Sequence, residues 1–248
     1  MPGTATLTPA IVVGAIRYGE TSRIVRLATR DLGVVGAIAK GALRPRSRIG
    51  PALQLLAEGT AHLIPGRGEL ATLAAFDPTD MHAALASSLE AFHAASVLAE
   101  LMARFVPPAP HEELFDVFQG GLRLMEAAPP ELGETIGLRA IWGLVDALGH
   151  SPALDACARD AAELPEGTVA FSLGEGGMLC ARCDRGASPI RRDADDREGL
   201  AFLVRGSGDP PDLDPSHAAA HRRLLARWIV SHLAGAELPA LELWRRGR

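Results

Sequence analysis

The most specific chemistry in this sequence is carried by its three cysteines. Cys180 and Cys183, in the stretch CARCDRG, stand at the Cys-x-x-Cys spacing of a metal-binding knuckle. Cys157 lies upstream, in DACARDA. A tetrahedral zinc site takes four ligands, so three thiolates leave one position open. The residues alone allow a metal site with a substituted ligand, the remnant of one, or a coincidence of spacing. Three cysteines in a chain of 248 residues do not make a disulfide framework.

The second candidate chemistry is electrostatic. Formal net charge is -5, which excludes a uniformly basic nucleic-acid binder. That balance hides a positive segment. Between residues 17 and 48 stand Arg17, Arg23, Arg26, Arg30, Lys40, Arg44, Arg46 and Arg48, against only Glu20 and Asp31. Arg44, Arg46 and Arg48 are spaced by Pro45 and Ser47 in a loop-like stretch. Proline limits the freedom such a loop loses on ordering. Guanidinium forks suit phosphate oxygens. A charge run can also be merely a solvated face. Tyr18 and Phe76 are the only aromatics of the strand-like part that runs to Phe76, so base stacking is not its expected mode.

Other constellations fail in detail. His111, Glu112 and Glu113 with the cysteine pair resemble a zinc-deaminase pattern, but Leu179 stands where proline should precede the first cysteine. RGSGD at 205–209 is not a nucleophile elbow, and GEGG at 174–177 is not a dinucleotide fingerprint. Lys40 is followed by Gly41 and Ala42, which excludes a phosphate-loop lysine. His217 and His221 are four apart on a helix that also carries His232, and read as an exposed face.

The elements that must position these groups follow from periodicity. Hydrophobic residues make up 48%, enough for a core. Five strand-like runs precede Phe76: IVVGAIRY, SRIVRLAT, VVGAIAKG, LQLLAEGTAHLI and ELATLAAF. That number fits a Greek-key barrel of the oligonucleotide-binding (OB) type, and other small barrels as well. Alternation along the second run predicts that Arg23 and its alternate neighbours project from one face.

Helical spacing then begins, with Thr79 or Asp80 as the expected N-cap and Leu85, Leu89, Phe92, Ala99 and Met102 as the apolar stripe. Further helices are expected over about 112–127 and 132–148, with Trp142 in the core. An irregular segment with a hairpin near 169–179 follows. A last helix is capped by Asp214 with Pro215 at its first position, and buries Leu224 and Trp228. The expected class is α+β: an OB-type barrel over 1–78, then a helical domain over 79–248 carrying the cysteine insert at about 150–190. The N-terminus lacks a basic and apolar leader, and no segment suits a bilayer, so a cytoplasmic protein without membrane contact is expected.

Residues 18–73 resemble the N-terminal domain of the bacterial recombination mediator family RecO. The resemblance rests on the YGET start, the T-x-x-x-G turn, the AKGALR loop and the GRGEL hairpin. GGMLCARC resembles that family's zinc element, and RRLLARWIVSHLAG fits its C-terminal helix. The resemblance implies an OB barrel that binds single- and double-stranded DNA and anneals complementary strands. It implies cooperation with RecR and single-strand-binding protein in loading recombinase, as in the RecFOR pathway, and no enzymatic activity. On charge, the expected DNA contacts are Arg44, Arg46 and Arg48 first, then Arg17, Arg23, Arg26, Lys40 and Arg67.

Many members of that family carry two Cys-x-x-Cys pairs. The upstream pair here would be Cys157 and residue 160, which is Asp160. The implied structural zinc site is Cys157, Asp160, Cys180 and Cys183. His150 or water as fourth ligand, and a site that has lost its metal, are the alternatives. The rival functions are a protein-interaction scaffold and an RNA-binding barrel.

Overall fold

A computed structural model describes residues 5–66, 68–186, 190–207, 210–233 and 237–247. The chain divides into two compact units, Met1–Ala127 and Ala128–Arg248.

The first unit opens with five strands: β1 (Thr6–Tyr18), β2 (Ser22–Thr29), β3 (Gly33–Ala39), β4 (Glu58–Ile64) and β5 (Ala71–Asp80). They close into a barrel in the order β1-β2-β3-β5-β4. All neighbours are antiparallel except β3 and β5. This is the expected OB-like barrel. β1 serves two partners: Thr6–Ile11 pair with β4 and Ala10–Tyr18 with β2. A bulge between Val12 and Gly14 bends the strand from one partnership to the other. Ala10, Val12, Val25, Leu27, Ala37, Ala61, Leu63, Leu73 and Phe76 fill the barrel.

Two helices complete this unit, α1 (Leu89–Phe105) and α2 (Glu112–Ala127). The strands end with β5 at Asp80, two residues past the expected boundary, and the first compact unit runs on to Ala127. The reason is the contacts α1, α2 and their connection make with the barrel. Val34 N–H donates to the Pro107 carbonyl at 3.2 Å. Gly33 has φ +69°, and a Cβ there would lie 2.2 Å from the Ala109 carbonyl oxygen, so only glycine fits this approach. Arg30 bonds Asp116 at 2.9 Å and lies 3.5 Å from Glu112. Gln119 and Arg123 both donate to Glu58.

The expected N-cap is corrected. Thr79 and Asp80 belong to β5, and Ser88 caps α1 by accepting from Ala91 N–H at 3.2 Å.

The second unit contains α3 (Gly133–Ala147), a three-stranded sheet and four further helices. The sheet runs β7-β6-β8, from β6 (Val169–Ser172), β7 (Gly177–Leu179) and β8 (Ile190–Arg192). The helices are α4 (Ala181–Asp184), α5 (Ala194–Arg205), α6 (Pro215–His232) and α7 (Pro239–Arg246). Trp142 and Trp228 are core residues, with ring centroids 5.9 Å apart. The Trp228 indole donates to the His150 carbonyl at 2.8 Å. Asp214 caps α6 as expected, accepting from Ser216 and His217 N–H.

His221 does not sit on an exposed face. It is 1% exposed, and its Nε2 lies 4.0 Å from Asp196. Desolvation, and then the nearby Arg192 guanidinium, push its pKa down to about 4. A group held neutral in the fold stabilises it fully above its ordinary value near 6.5, and that contribution fades as pH falls toward 4. The expected loss across this window is about 3 kcal/mol. Urea midpoints at pH 7.5, 5.5 and 4.5 measure it. In His221→Leu the fall should be shallower than in the parent; equal slopes would remove His221 as the cause.

Candidate functional site

Arg17, Arg23 and Lys40 of the first unit gather where β1 ends, β2 begins and β3 ends. Arg17 and Arg23 are direct cross-strand partners, and Arg23 also pairs with Ala39, next to Lys40. Partners across an antiparallel pair share a face, so the two guanidinium stems stand side by side. Like charges placed this way repel and gain from a counter-anion.

The alternation of β2 puts Arg23 on the face of Val25 and Leu27, which point into the barrel. Arg23 is therefore half-buried at the barrel mouth, and its Nη1 donates to the Leu53 carbonyl at 3.2 Å. Arg26 points the other way and is exposed. Its neighbours on the flanking strands are Gly14 and Gly36, which leave room for its stem along the outer face. Arg23 and Arg26 thus serve opposite faces. Alternation revealed two faces but not which one turned inward.

The segment between β3 and β4 carries Arg44, Arg46 and Arg48, all exposed. It is a chain of turns rather than a slack loop. Arg44 N–H donates to the Gly41 carbonyl, Ser47 N–H to the Arg44 carbonyl and Gly50 N–H to Ser47 Oγ, at 2.9–3.1 Å. Leu43 N–H reaches the Thr21 carbonyl in the β1–β2 turn at 2.9 Å, which brings the loop beside Arg17 and Arg23. Ala42, Ala52 and Leu53 anchor its ends in the barrel core. At Gly50 a Cβ would lie 2.0 Å from the Ala42 carbonyl oxygen, so the loop closes on a backbone contact. The three guanidinium groups are held out on a preorganised frame.

Ion pairing distinguishes these cations from many arginines elsewhere in the chain, although Arg104, Arg185, Arg197, Arg223 and Arg227 likewise make no ion pair among the described residues. Among the described residues, Arg17, Arg26, Lys40, Arg44, Arg46 and Arg48 make no ion pair. By contrast, Arg30, Arg123, Arg159, Arg182, Arg191, Arg192, Arg205, Arg222, Arg245 and Arg246 each face a carboxylate. Arg67, also expected to contact DNA, lies outside the described residues. Phe76 is buried, which leaves Tyr18 as the one exposed aromatic of the described barrel strands.

The second constellation lies in the second unit. Cys157, Asp160, Cys180 and Cys183 each place a ligand atom within 4.8 Å of the others. Two similar turns do this, Cys157-Ala-Arg-Asp160 and Cys180-Ala-Arg-Cys183. Each is closed by a left-handed residue, Ala161 at φ 55° and Arg185 at φ 46°. Backbone bonds hold the turns: Ala161 N–H to the Cys157 carbonyl at 2.9 Å, and Cys183 N–H to the Cys180 carbonyl at 3.1 Å. Ala158 N–H donates to the Met178 carbonyl at 2.8 Å, fixing the first turn to β7 and so to the second.

Cys180 Sγ stands 3.7 and 3.8 Å from the two Asp160 oxygens. A sulfur and an oxygen sharing one tetrahedral zinc are about 3.6 Å apart. The donor set and its spacing fit a metal ion. The surroundings favour the ligand forms of two of the four groups. Cys157, then the Ala162 N–H, hold the Asp160 carboxyl far below its usual range. The Cys183 N–H lowers the Cys180 thiol, whereas desolvation and Asp160 push the Cys183 thiol up to about 12 in the metal-free cluster. Arg182 also bonds Asp160, at 2.9 Å. His150 is not in the cluster.

The discarded constellations do not assemble. Glu112 pairs with Arg30 in the first unit, and His217 bonds Asp214 at 2.6 Å. No helix among the described residues is long and apolar enough to cross a membrane.

Sequence comparison decides the family. The profile described as "Recombination protein O N terminal" matches residues 4–82, and "Recombination protein O C terminal" matches residues 86–242. The chain belongs to the RecO family. A relative named DNA repair protein RecO from Anaeromyxobacter sp. strain Fw109-5 is 36% identical over 245 residues, covering 90% of this chain and 89% of its own. One of the same name from Anaeromyxobacter dehalogenans strain 2CP-C is 38% identical over 179 residues, covering 71% of this chain and 69% of its own. That from Geobacter metallireducens is 34% identical over 191 residues, covering 77% of each. The RecO profiles meet at 82–86, close to the change from strands to helices, whereas the compact units meet at 127–128.

Proposed function

We propose that this chain is a non-enzymatic, DNA-binding recombination mediator in DNA repair. Membership of the RecO family supports the role in repair. The observation that carries the mechanism is the set of exposed cations without ion pairs: Arg17 and Lys40 at one barrel end, Arg44, Arg46 and Arg48 in its adjoining loop, and Arg26 on the outer face of β2. Arg44, Arg46 and Arg48, with Arg17, Arg26 and Lys40, hold phosphates. Arg23 steadies the barrel mouth through Leu53 and adds charge beside Arg17. Arg67, outside the described residues, is taken as a further phosphate contact on its charge alone. With one exposed aromatic nearby, the protein grips the backbone and leaves bases free. Two strands held this way repel each other less, and pairing nucleates.

Both single- and double-stranded DNA suit such a surface, because both present phosphates. RecR and single-strand-binding protein are the protein partners in loading recombinase, and the cytoplasm is the site of action. Cys157, Asp160, Cys180 and Cys183 hold a structural zinc ion. Zinc supplies no chemistry to a reaction there; the four residues tie the two turns of the insert together.

Strand annealing tests the reading. Complementary oligonucleotides should pair faster with the protein than without it, and the same sample should contain one zinc per chain at the cysteine cluster. An unchanged annealing rate with no DNA bound would favour the protein-interaction scaffold. Preference for RNA over DNA of equal length would favour the RNA-binding barrel.

A further inference from the structure

We infer that the first unit holds a second divalent-cation site, built from Asp80, His82 and Glu126. It is independent of the cysteine cluster and of the DNA-binding reading. The three residues each place a ligand atom within 4.8 Å of the others. The His82 side chain is wholly buried. Carboxylates flank both its nitrogens: Glu126 Oε2 lies 2.9 Å and Asp80 Oδ2 4.0 Å from Nδ1, and Glu58 Oε2 lies 3.3 Å from Nε2.

A neutral imidazole has one N–H and can satisfy one side only. Nδ1 is within hydrogen-bond distance of Glu126, and Glu58 backs the other nitrogen. Glu58 Oε1 already receives Gln119 at 2.7 Å and Arg123 at 3.2 Å, which leaves Oε2 facing Nε2. Oε2 and Nε2 are both buried and lack hydrogen-bond alignment. A carboxylate behind one ring nitrogen is the usual support of a metal-bound histidine, where it fixes the tautomer and orients the ring.

With the proton on Nε2, the lone pair of Nδ1 faces Glu126 and Asp80. In that tautomer a cation takes the place of the proton that otherwise bridges Nδ1 and Glu126 Oε2 at 2.9 Å. Nitrogen and oxygen ligands at right angles around a first-row ion are about 3 Å apart, close to the separation of Nδ1 from Glu126. Asp80 is half-exposed and free to close the remaining distance. Its other oxygen accepts from the His82 N–H at 2.8 Å, which holds His82 at the left-handed φ of 47° that turns the ring inward. One nitrogen and two carboxylates suit manganese, iron, cobalt or zinc rather than magnesium or calcium. A cation there ties the end of β5 to the end of α2.

Mn²⁺ is the probe, because it avoids thiolates and so leaves the cysteine cluster empty. Loss of the free-ion electron paramagnetic resonance signal on adding the full-length protein counts bound Mn²⁺. One Mn²⁺ per chain is expected, held against an equal concentration of Mg²⁺. Glu126→Gln and Asp80→Asn, at accessible positions that should fold, are each expected to weaken binding at least about tenfold. Glu58→Gln should weaken it as well, through the ring. No bound Mn²⁺, unchanged affinity in Glu126→Gln and Asp80→Asn, or displacement by equal Mg²⁺ would each overturn the site. His82 Nδ1 would then only hydrogen-bond Glu126.

Discussion

Replacing Arg44, Arg46 and Arg48 together by Glu is expected to lower affinity for single-stranded DNA about 100-fold at low salt, whatever the sequence. The three side chains are exposed and meet no carboxylate, so reversal removes no internal ion pair. Folding should be untouched, with a melting temperature equal to or above that of the parent, because surface changes of this kind are worth within about 0.5 kcal/mol. The turn bonds of the loop are backbone bonds or run through Ser47, and they survive the change. Each arginine that neutralises a phosphate on a single strand adds about 0.7 to the dependence of log affinity on log salt. The triple variant should therefore show a slope smaller by about 2. A variant that folds and binds as the parent does would remove the loop from the interface.

Removal of zinc should loosen the second unit and leave the barrel's DNA contacts in place. Chelation, or Cys180→Ser, is expected to lower stability by about 3 kcal/mol where zinc stands near 100 times its Kd. Hydrogen exchange should rise over the two turns, at 157–164 and 177–186, because the ion joins what the backbone joins only weakly. Single-strand affinity should change little, since the cations proposed to hold phosphates lie in the first unit. Asp160→Cys supplies the missing thiolate and should bind zinc more tightly, while Asp160→Asn should bind it less tightly. The same melting curve with and without chelator, and no zinc in the purified protein, would leave a cluster held by packing alone.

The barrel was largely legible because its turns are marked by glycine and its runs by β-branched residues. SRIVRLAT is β2 to the residue. Its limits elsewhere have physical causes. LQLLA reads as the start of a strand, yet Leu53 and Leu56 are buried from a turn, and β4 begins only at Glu58. β5 runs on through Pro78, which displaced the expected helix cap from Asp80 to Ser88. α5 is not marked by periodicity, because its first turn is acidic and its apolar residues run together over 200–204 instead of recurring at helical spacing.

The candidate sites divide in the same way. The cysteine pair and Asp160 keep local spacing, and the structure brings them together with Cys157. The arginines were legible as a charged segment. Their separation into inward Arg23 and outward Arg26 needed the register around the bulge in β1. Nothing in the sequence joined His82 to Glu58 and Glu126. Only closure of the barrel and docking of α2 bring them together.

The most direct test of the central claim is a titration of labelled single-stranded DNA with the purified protein at several salt concentrations. Six unpaired cations gripping phosphates predict a log–log slope of about -4, with affinity falling roughly 300-fold between 50 and 200 mM salt. No binding at the lowest salt, or an affinity indifferent to salt, would contradict the account.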